Sequence, residues 1–312
     1  MPQLSTEILS QDLPSEEGAI LNKPPESSTK KRLGFAAWMA VIWLAIVLIS
    51  ALAAPLLPID DPLKTIDIPV SQRTIGGPTT IARQPPSADH WFGGDGNGRD
   101  LMSRVIYGAR SSMLIGVGAI AFGVFIGGAV GLIAGYFKGR PDTIISLLLD
   151  SVLAFPALVL ALSIVTFLGR STWNIILALG IVSIPILGRI TRAATLSWSS
   201  REFVMAARAQ GAKHGRIILR ELLPNVVPAM TSIALLGIAV AIVAEGGLAI
   251  LGAGIQPPNP SWGNIIQEGQ AQLSDAPHIV LAPSGVIFLT VLALNYLGDV
   301  VRELLEVRES AL

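Results

Sequence analysis

The sequence predicts an all-α integral membrane protein with six transmembrane helices. Three observations carry that expectation. Of 312 residues, 51% are hydrophobic and only 14% charged, well below the roughly one quarter charged that soluble chains carry, and mean hydropathy is +0.61. Six apolar stretches are each long enough, with their helical flanks, to cross a hydrocarbon core of about 30 Å, which takes about 20 helical residues. Basic residues divide unevenly among the connections between them.

The first 34 residues are polar and rich in Ser, Pro and Glu, too poor in apolar surface to offset the entropy of ordering, and read as a disordered cytoplasmic tail. The first span is Phe35–Leu57. Lys30-Lys31-Arg32 before it and Ala51-Leu52-Ala53 within it imitate a signal peptide. A signal core runs to about 15 residues, however, and this uncharged run is longer, so it reads as a retained helix. An extracytoplasmic loop with an amphipathic segment follows over 58–110. A five-helix core is expected over 111–302, with spans at Ser111–Tyr136, Thr143–Leu168, Trp173–Arg189, Val226–Leu251 and Ile279–Leu297, and 303–312 form a cytoplasmic tail. The fourth span is the shortest between charges, so its helix is expected to continue through Arg189 and Arg192.

With the N-terminus in the cytoplasm, 15 basic residues fall inside and seven outside, and Gly252–His278 holds none. The positive-inside rule therefore places both termini in the cytoplasm. Net charge is zero, so no global field draws in nucleic acid. The absence of cysteine removes disulfides, thiol nucleophiles and thiolate metal sites.

Within the second span small residues recur every fourth position, at Ala119, Gly123, Gly127, Gly131 and Gly135. That spacing lets helix backbones approach closely in lipid. It leaves open whether the neighbour belongs to this chain or to another. Asp150 in the third span and Glu245 in the fifth are acids at membrane depth, costly there and so candidates for a pore, a relay or a helix pairing. Asp150 falls in the cytoplasmic half and Glu245 toward the outer end. An ion pair or cap is the plainer role for each.

A fuel site is missing. The only Lys followed by Ser or Thr is Lys64, with Leu63 where a phosphate loop needs glycine. Gly93-Gly94-Asp95-Gly96-Asn97-Gly98 fits neither the dinucleotide pattern, which fails at Arg99, nor a calcium loop. It reads as a turn leading into a helix. His90, His214 and His278 lie in loops far apart in sequence, which speaks against a metal site built from the three. Ser284-Gly285 could be imagined as a hydrolase turn, but no span carries the histidine base it would need.

The segment 200–225 is too polar to span and too regular to be disordered. It reads as a helix from Glu202 to Gln210, a break at Gly211, a second short helix over about His214–Leu222, and Pro224 at the entry to the fifth span. From composition, a helix lying on the membrane with its basic face toward anionic lipid is an equal alternative.

Ala206-Ala207, Gly211 and Leu223-Pro224 resemble the EAA loop of ABC importer permeases, with Met205 standing where the motif's leading Glu would be. His90-Trp91-Phe92-Gly93, Asp95, Gly98-Arg99-Asp100, Ser103-Arg104 and Tyr107-Gly108-Ala109-Arg110 resemble a stretch of C-type dipeptide and oligopeptide permeases. So do Glu245, Leu251-Gly252, Gln256-Pro257-Pro258, Pro260-Ser261-Trp262-Gly263 and the ending from Asn295 to Arg302. The resemblance spans about 35–308. It implies a type I ABC importer permease fold in which Glu202, Met205, Ala206, Ala207, Gly211, Ala212, Leu223 and Pro224 form a coupling loop for a separate ATPase. Gly211 would set the angle and the two alanines would permit close docking. It also implies a second, B-type permease, two ATPase subunits that bind ATP and Mg, an extracytoplasmic peptide-binding protein, and no cofactor in this chain. The implied cargo is di- or oligopeptides, with nickel as the alternative.

Overall fold

A computed structural model describes residues 34–68 and 80–309. The predicted N-terminal tail, part of the amphipathic segment and the last three residues lie outside them. The chain divides into units of Met1–Phe35 and Ala36–Leu312. Among the described residues, every helix belongs to the second unit, apart from Phe35 at the start of the first span.

The helices are α1 (Phe35–Ala53), α2 (Leu101–Phe137), α3 (Gly139–Leu153), α4 (Ala157–Leu168), α5 (Thr172–Ser199), α6 (Glu202–Ala209), α7 (His214–Ile250), α8 (Trp262–Gly269) and α9 (His278–Glu309). Five, namely α1, α2, α5, α7 and α9, are each long and apolar enough to cross a membrane. A sixth crossing exists if α3 and α4, which meet at 84°, form one bent span. The bend follows from Phe155-Pro156. Proline pushes the residue before it out of the helical region and cannot donate to the turn behind it.

Two further expectations shift. The loop predicted over 58–110 ends at Asp100, because Leu101–Arg110 are the first turns of α2. Asp100 caps that helix, its carboxylate accepting from the Ser103 amide at 2.7 Å. The second short helix near His214 is not separate either. It runs without interruption into the fifth span through a π-helical turn over Ile217–Leu222. There the Leu223 amide donates to the Ile218 carbonyl, five residues back. The wider turn lies just ahead of Pro224, which has no amide to offer the ladder. α5 passes through Arg189 and Arg192 to Ser199.

The glycine stripe of α2 packs on α5 of the same chain. A Cβ at Gly123 would meet Ser183 Oγ at 2.0 Å, and one at Gly127 would lie 2.7 Å from the Ile184 carbonyl oxygen. One at Gly131 would lie 2.5 Å from the Gly188 oxygen, and one at Gly135 2.6 Å from Thr195 Cβ. The α5 backbone comes close at Gly127, Gly131 and Gly135, and its Ser183 and Leu187 side chains at Gly123, which is how small residues substitute dispersion contact for the hydrophobic drive that lipid lacks.

Candidate functional site

The segment 200–225 stands at the end of the bundle where α2 and α5 finish. α6 is a single eight-residue helix with Glu202 in its first turn and Arg208 in its last, each sign matching the helix dipole. Its C-terminus closes as a Schellman motif. The Ala212 amide donates to the Ala207 carbonyl at 3.0 Å and the Gly211 amide to the Arg208 carbonyl at 2.9 Å, with Gly211 at φ +77°. The spacing of Ala207, Gly211 and Ala212 is thereby explained: the glycine is the left-handed residue that the cap requires, and the alanines meet across it. A Cβ at Gly211 would find nothing within 4 Å. Its requirement is conformational, not spatial.

α6 has two faces. Val204 is fully buried, and Ala207 packs with it among Leu132 and Tyr136 of α2 and Ile217, Leu222 and Val226 of α7. Glu202, Met205, Ala206 and Ala209, at spacings of three and four, are exposed, Met205 at 53%. Leu223 is half-buried beside this cluster and Pro224 is exposed. The structure thus gathers Met205, Ala206 and Glu202 on an open surface, while Ala207, Ala212 and Leu223 hold that surface to the bundle.

Residues outside the predicted set complete the mount. Trp198 of α5 packs against Phe203 with ring centroids 6.2 Å apart and carries the Arg201 guanidinium 5.3 Å from its own ring. Tyr136, at the end of α2, has its hydroxyl 2.8 Å from His214 Nδ1 and the Arg208 guanidinium 5.0 Å from its ring centroid. Trp198 and Phe203 flank Arg201 at adjoining helix ends, which is a signal in the sequence, whereas the partners of Tyr136 lie far along the chain and give none.

The two acids part company. Asp150 pairs with Arg189 and is half-exposed, while Asp142, two turns earlier on α3, binds Arg192, whose Nη2 lies 2.7 Å from Asp142 Oδ2. Together they tie α3 to α5. Glu245 has no cationic partner among the described residues. It is 1% exposed and accepts from Ser261 Oγ at 2.8 Å and Ser112 Oγ at 3.3 Å. Ser112 Oγ in turn accepts from the Trp262 amide at 3.1 Å. Glu245 thus fastens α8, through its capping residue, to α2 and α7. Glu245→Leu is expected to leave these hydroxyls short of a partner and cost about 1–3 kcal/mol, whereas Glu245→Gln, which keeps an acceptor, is expected to lose less than half of that. Thermal unfolding in detergent compares the two.

At the same end as α8, Asp95, Arg99, Arg104 and Glu268 form a buried, charge-balanced cluster. Asp95 Oδ2 lies 2.6 Å from Arg99 Nε and 2.8 Å from Arg104 Nη1, and Glu268 Oε2 lies 2.6 Å from Arg99 Nη2 and 3.1 Å from Arg104 Nη2. Burial holds the Glu268 carboxyl above its ordinary range even beside Arg99. The Gly93–Gly98 turn is the other half of this mount, with Gly93 and Gly98 at positive φ.

Residues 127–310 match the model of the family described as binding-protein-dependent transport system inner membrane component. The dipeptide transport system permease protein DppC of Alkalihalophilus pseudofirmus is 43% identical over 72% of this chain and 73% of its own. The glutathione transport system permease protein GsiD of Pectobacterium atrosepticum is 38% identical over 71% and 73%. Among solved structures, a chain of the inward-facing MetNI methionine ABC transporter superposes with a TM-score of 0.56 at 18% identity, covering 65% of this chain and 97% of that one. That likeness concerns the fold. A model match over more than half the chain and a relative above 40% identity are sufficient to place it: the chain belongs to the binding-protein-dependent transport system inner membrane components, as a multi-pass ABC importer permease subunit and not an enzyme.

Proposed function

We propose that this subunit passes di- or oligopeptides through the bacterial cytoplasmic membrane, both termini inside, as half of a heterodimer with a B-type permease. Two ATPase subunits would bind ATP and Mg and dock on the open face of α6, and a peptide-binding protein would deliver cargo at the α8 end. The observation that carries this reading is the two-faced α6. A helix whose inner face is packed into the ends of α2 and α7 and whose outer face is bare transmits a push from outside to the spans as a bias between two packings. The peptide cargo is supported by the dipeptide and glutathione permeases that the chain resembles.

An apolar cleft of about 700 Å³, lined by Leu158, Val182, Ile186, Val240, Val243 and Asn295 among others, opens along α4, α5, α7 and α9. It is the surface we assign to the second permease and the path between the two.

The test is uptake by membrane vesicles carrying the whole transporter. ATP-dependent accumulation of radiolabelled dialanine or glutathione, with no accumulation of nickel ion, is expected. Nickel accumulation without peptide would overturn the cargo, and uptake that needs no ATP would overturn the importer.

A further inference from the structure

We infer that Tyr136 is a positioning residue that clamps both sides of the Gly211 turn, so that α2 moves with the coupling helix as well as α7. This rests on the reading of α6 as the ATPase-docking helix and adds a route that the loop itself does not supply.

By chain connection alone, a push on α6 reaches α7 through Gln210–Lys213 and reaches α5 through Ser200–Arg201. α2 has no covalent link to α6. Its end meets the two arms of the turn through apolar packing, Leu132 and Tyr136 with Val204 and Ala207 and Phe137 with His214, and Tyr136 adds a separate polar contact to each arm. Arg208, three residues before Gly211, lies over the Tyr136 ring at 5.0 Å, and His214, three residues after it, bonds the Tyr136 hydroxyl at 2.8 Å. The ring itself is fixed. Tyr136 is 5% exposed, the His214 ring meets it edge-on at 5.6 Å, and Phe137 closes on both, 5.0 Å from Tyr136 and 5.5 Å from His214. Arg208 and His214 are otherwise exposed, so neither position is demanded by burial of its own side chain.

The clamp also explains a choice that the cap leaves open. The Schellman turn fixes the backbone at Gly211, yet nothing within 4 Å would pack against a side chain there. The angle between α6 and the start of α7 therefore rests on that backbone turn and on the apolar packing of Val204 with Ile217 and Leu222. Tyr136 bridges the two arms from below and refers that angle to α2. α2 is in turn locked to α5 by its glycine stripe, so displacement of the clamp displaces two spans as a unit.

The experiment uses the complete importer in liposomes, with its second permease, ATPase subunits and binding protein, and reads MgATP hydrolysis with and without the binding protein outside. This readout does not depend on the cargo. Tyr136→Phe keeps the ring and loses the hydroxyl. It is expected to reduce stimulation by the binding protein about 3-fold, the size of one hydrogen bond of coupling. Tyr136→Leu, which loses both contacts, is expected to reduce it about 10-fold or more. In both, basal hydrolysis and the amount of ATPase that co-purifies should match the parent protein. His214→Ala should resemble Tyr136→Phe, and the double variant should be no worse than either alone. Full stimulation in Tyr136→Leu, additive effects in the double variant, or loss of bound ATPase in Tyr136→Phe would each overturn the clamp. Met205→Asp, on the open face of α6, separates the two ideas: it should release the ATPase, and if it does not, the reading of α6 fails independently of Tyr136.

Discussion

Arg104→Ala is expected to destabilise the subunit by about 3–5 kcal/mol, the cost of stripping one member from a buried ion cluster. Arg104 is fully buried, and its guanidinium reaches both Asp95 and Glu268. Without it, two carboxylates share Arg99 alone, Asp95 buried and Glu268 only partly open to solvent. Asp95 belongs to the turn before α2 and Glu268 to α8, so the loss should loosen α8 as a piece. Arg104→Lys should restore only part, since an ammonium cannot span two carboxylates as a planar guanidinium does. Denaturant unfolding of the detergent-solubilised subunit measures both. An unchanged midpoint in Arg104→Ala would show that the cluster contributes no net stability.

Gly131→Val is expected to have a comparable effect at the other end of α2. Its Cβ would lie 2.5 Å from the Gly188 oxygen, 2.7 Å from Thr191 Cβ and 3.0 Å from the Arg192 amide nitrogen. None of these is the tip of a flexible side chain, so α2 and α5 must separate. Overpacking typically costs about 1–3 kcal/mol, and here separation breaks the neighbouring contacts of Gly127 and Gly135 as well. Gly285→Ala on α9, where a Cβ meets nothing within 4 Å, should be neutral within about 0.5 kcal/mol in the same unfolding assay.

The spans were readable because lipid imposes a simple demand, continuous apolar length, and five of the six stretches appear as single helices. The sixth was also visible, but Phe155-Pro156 in its middle carried a bend that apolar length conceals. The start of α2 was hidden for a different reason. Arg104 and Arg110 made 101–110 read as loop, and the acid that neutralises Arg104 from beyond its own turn, Glu268, is far along the chain. No local pattern announces such a pair. Asp142 and Arg192 are a second case, as is the Glu245 network, whose partners lie on α2 and α8.

At the candidate site the order of residues was legible, while its physics was not. Ala207, Gly211 and Ala212 could be recognised by spacing, but that spacing is a helix cap, which the left-handed backbone at Gly211 reveals. The division of α6 into a packed face at Val204 and Ala207 and an open face at Met205 and Ala206 required the neighbouring helices. Tyr136 gave no sign by itself, because its partners flank a turn nearly 80 residues later.

Coupling of ATP to transport through α6, held in its geometry by Gly211, is the central claim. Gly211→Val and Gly211→Asn share the absence of any steric clash and differ in how well they tolerate a positive φ. Asparagine adopts it routinely, while other L-residues pay about 1–2 kcal/mol and β-branched ones more. ATP-driven uptake by vesicles containing the complete transporter is the measurement. Uptake within about 2-fold of the parent is expected for Gly211→Asn, and a loss of about 10-fold or more for Gly211→Val with the subunit still in the membrane. Undiminished uptake in Gly211→Val would contradict the coupling role of α6.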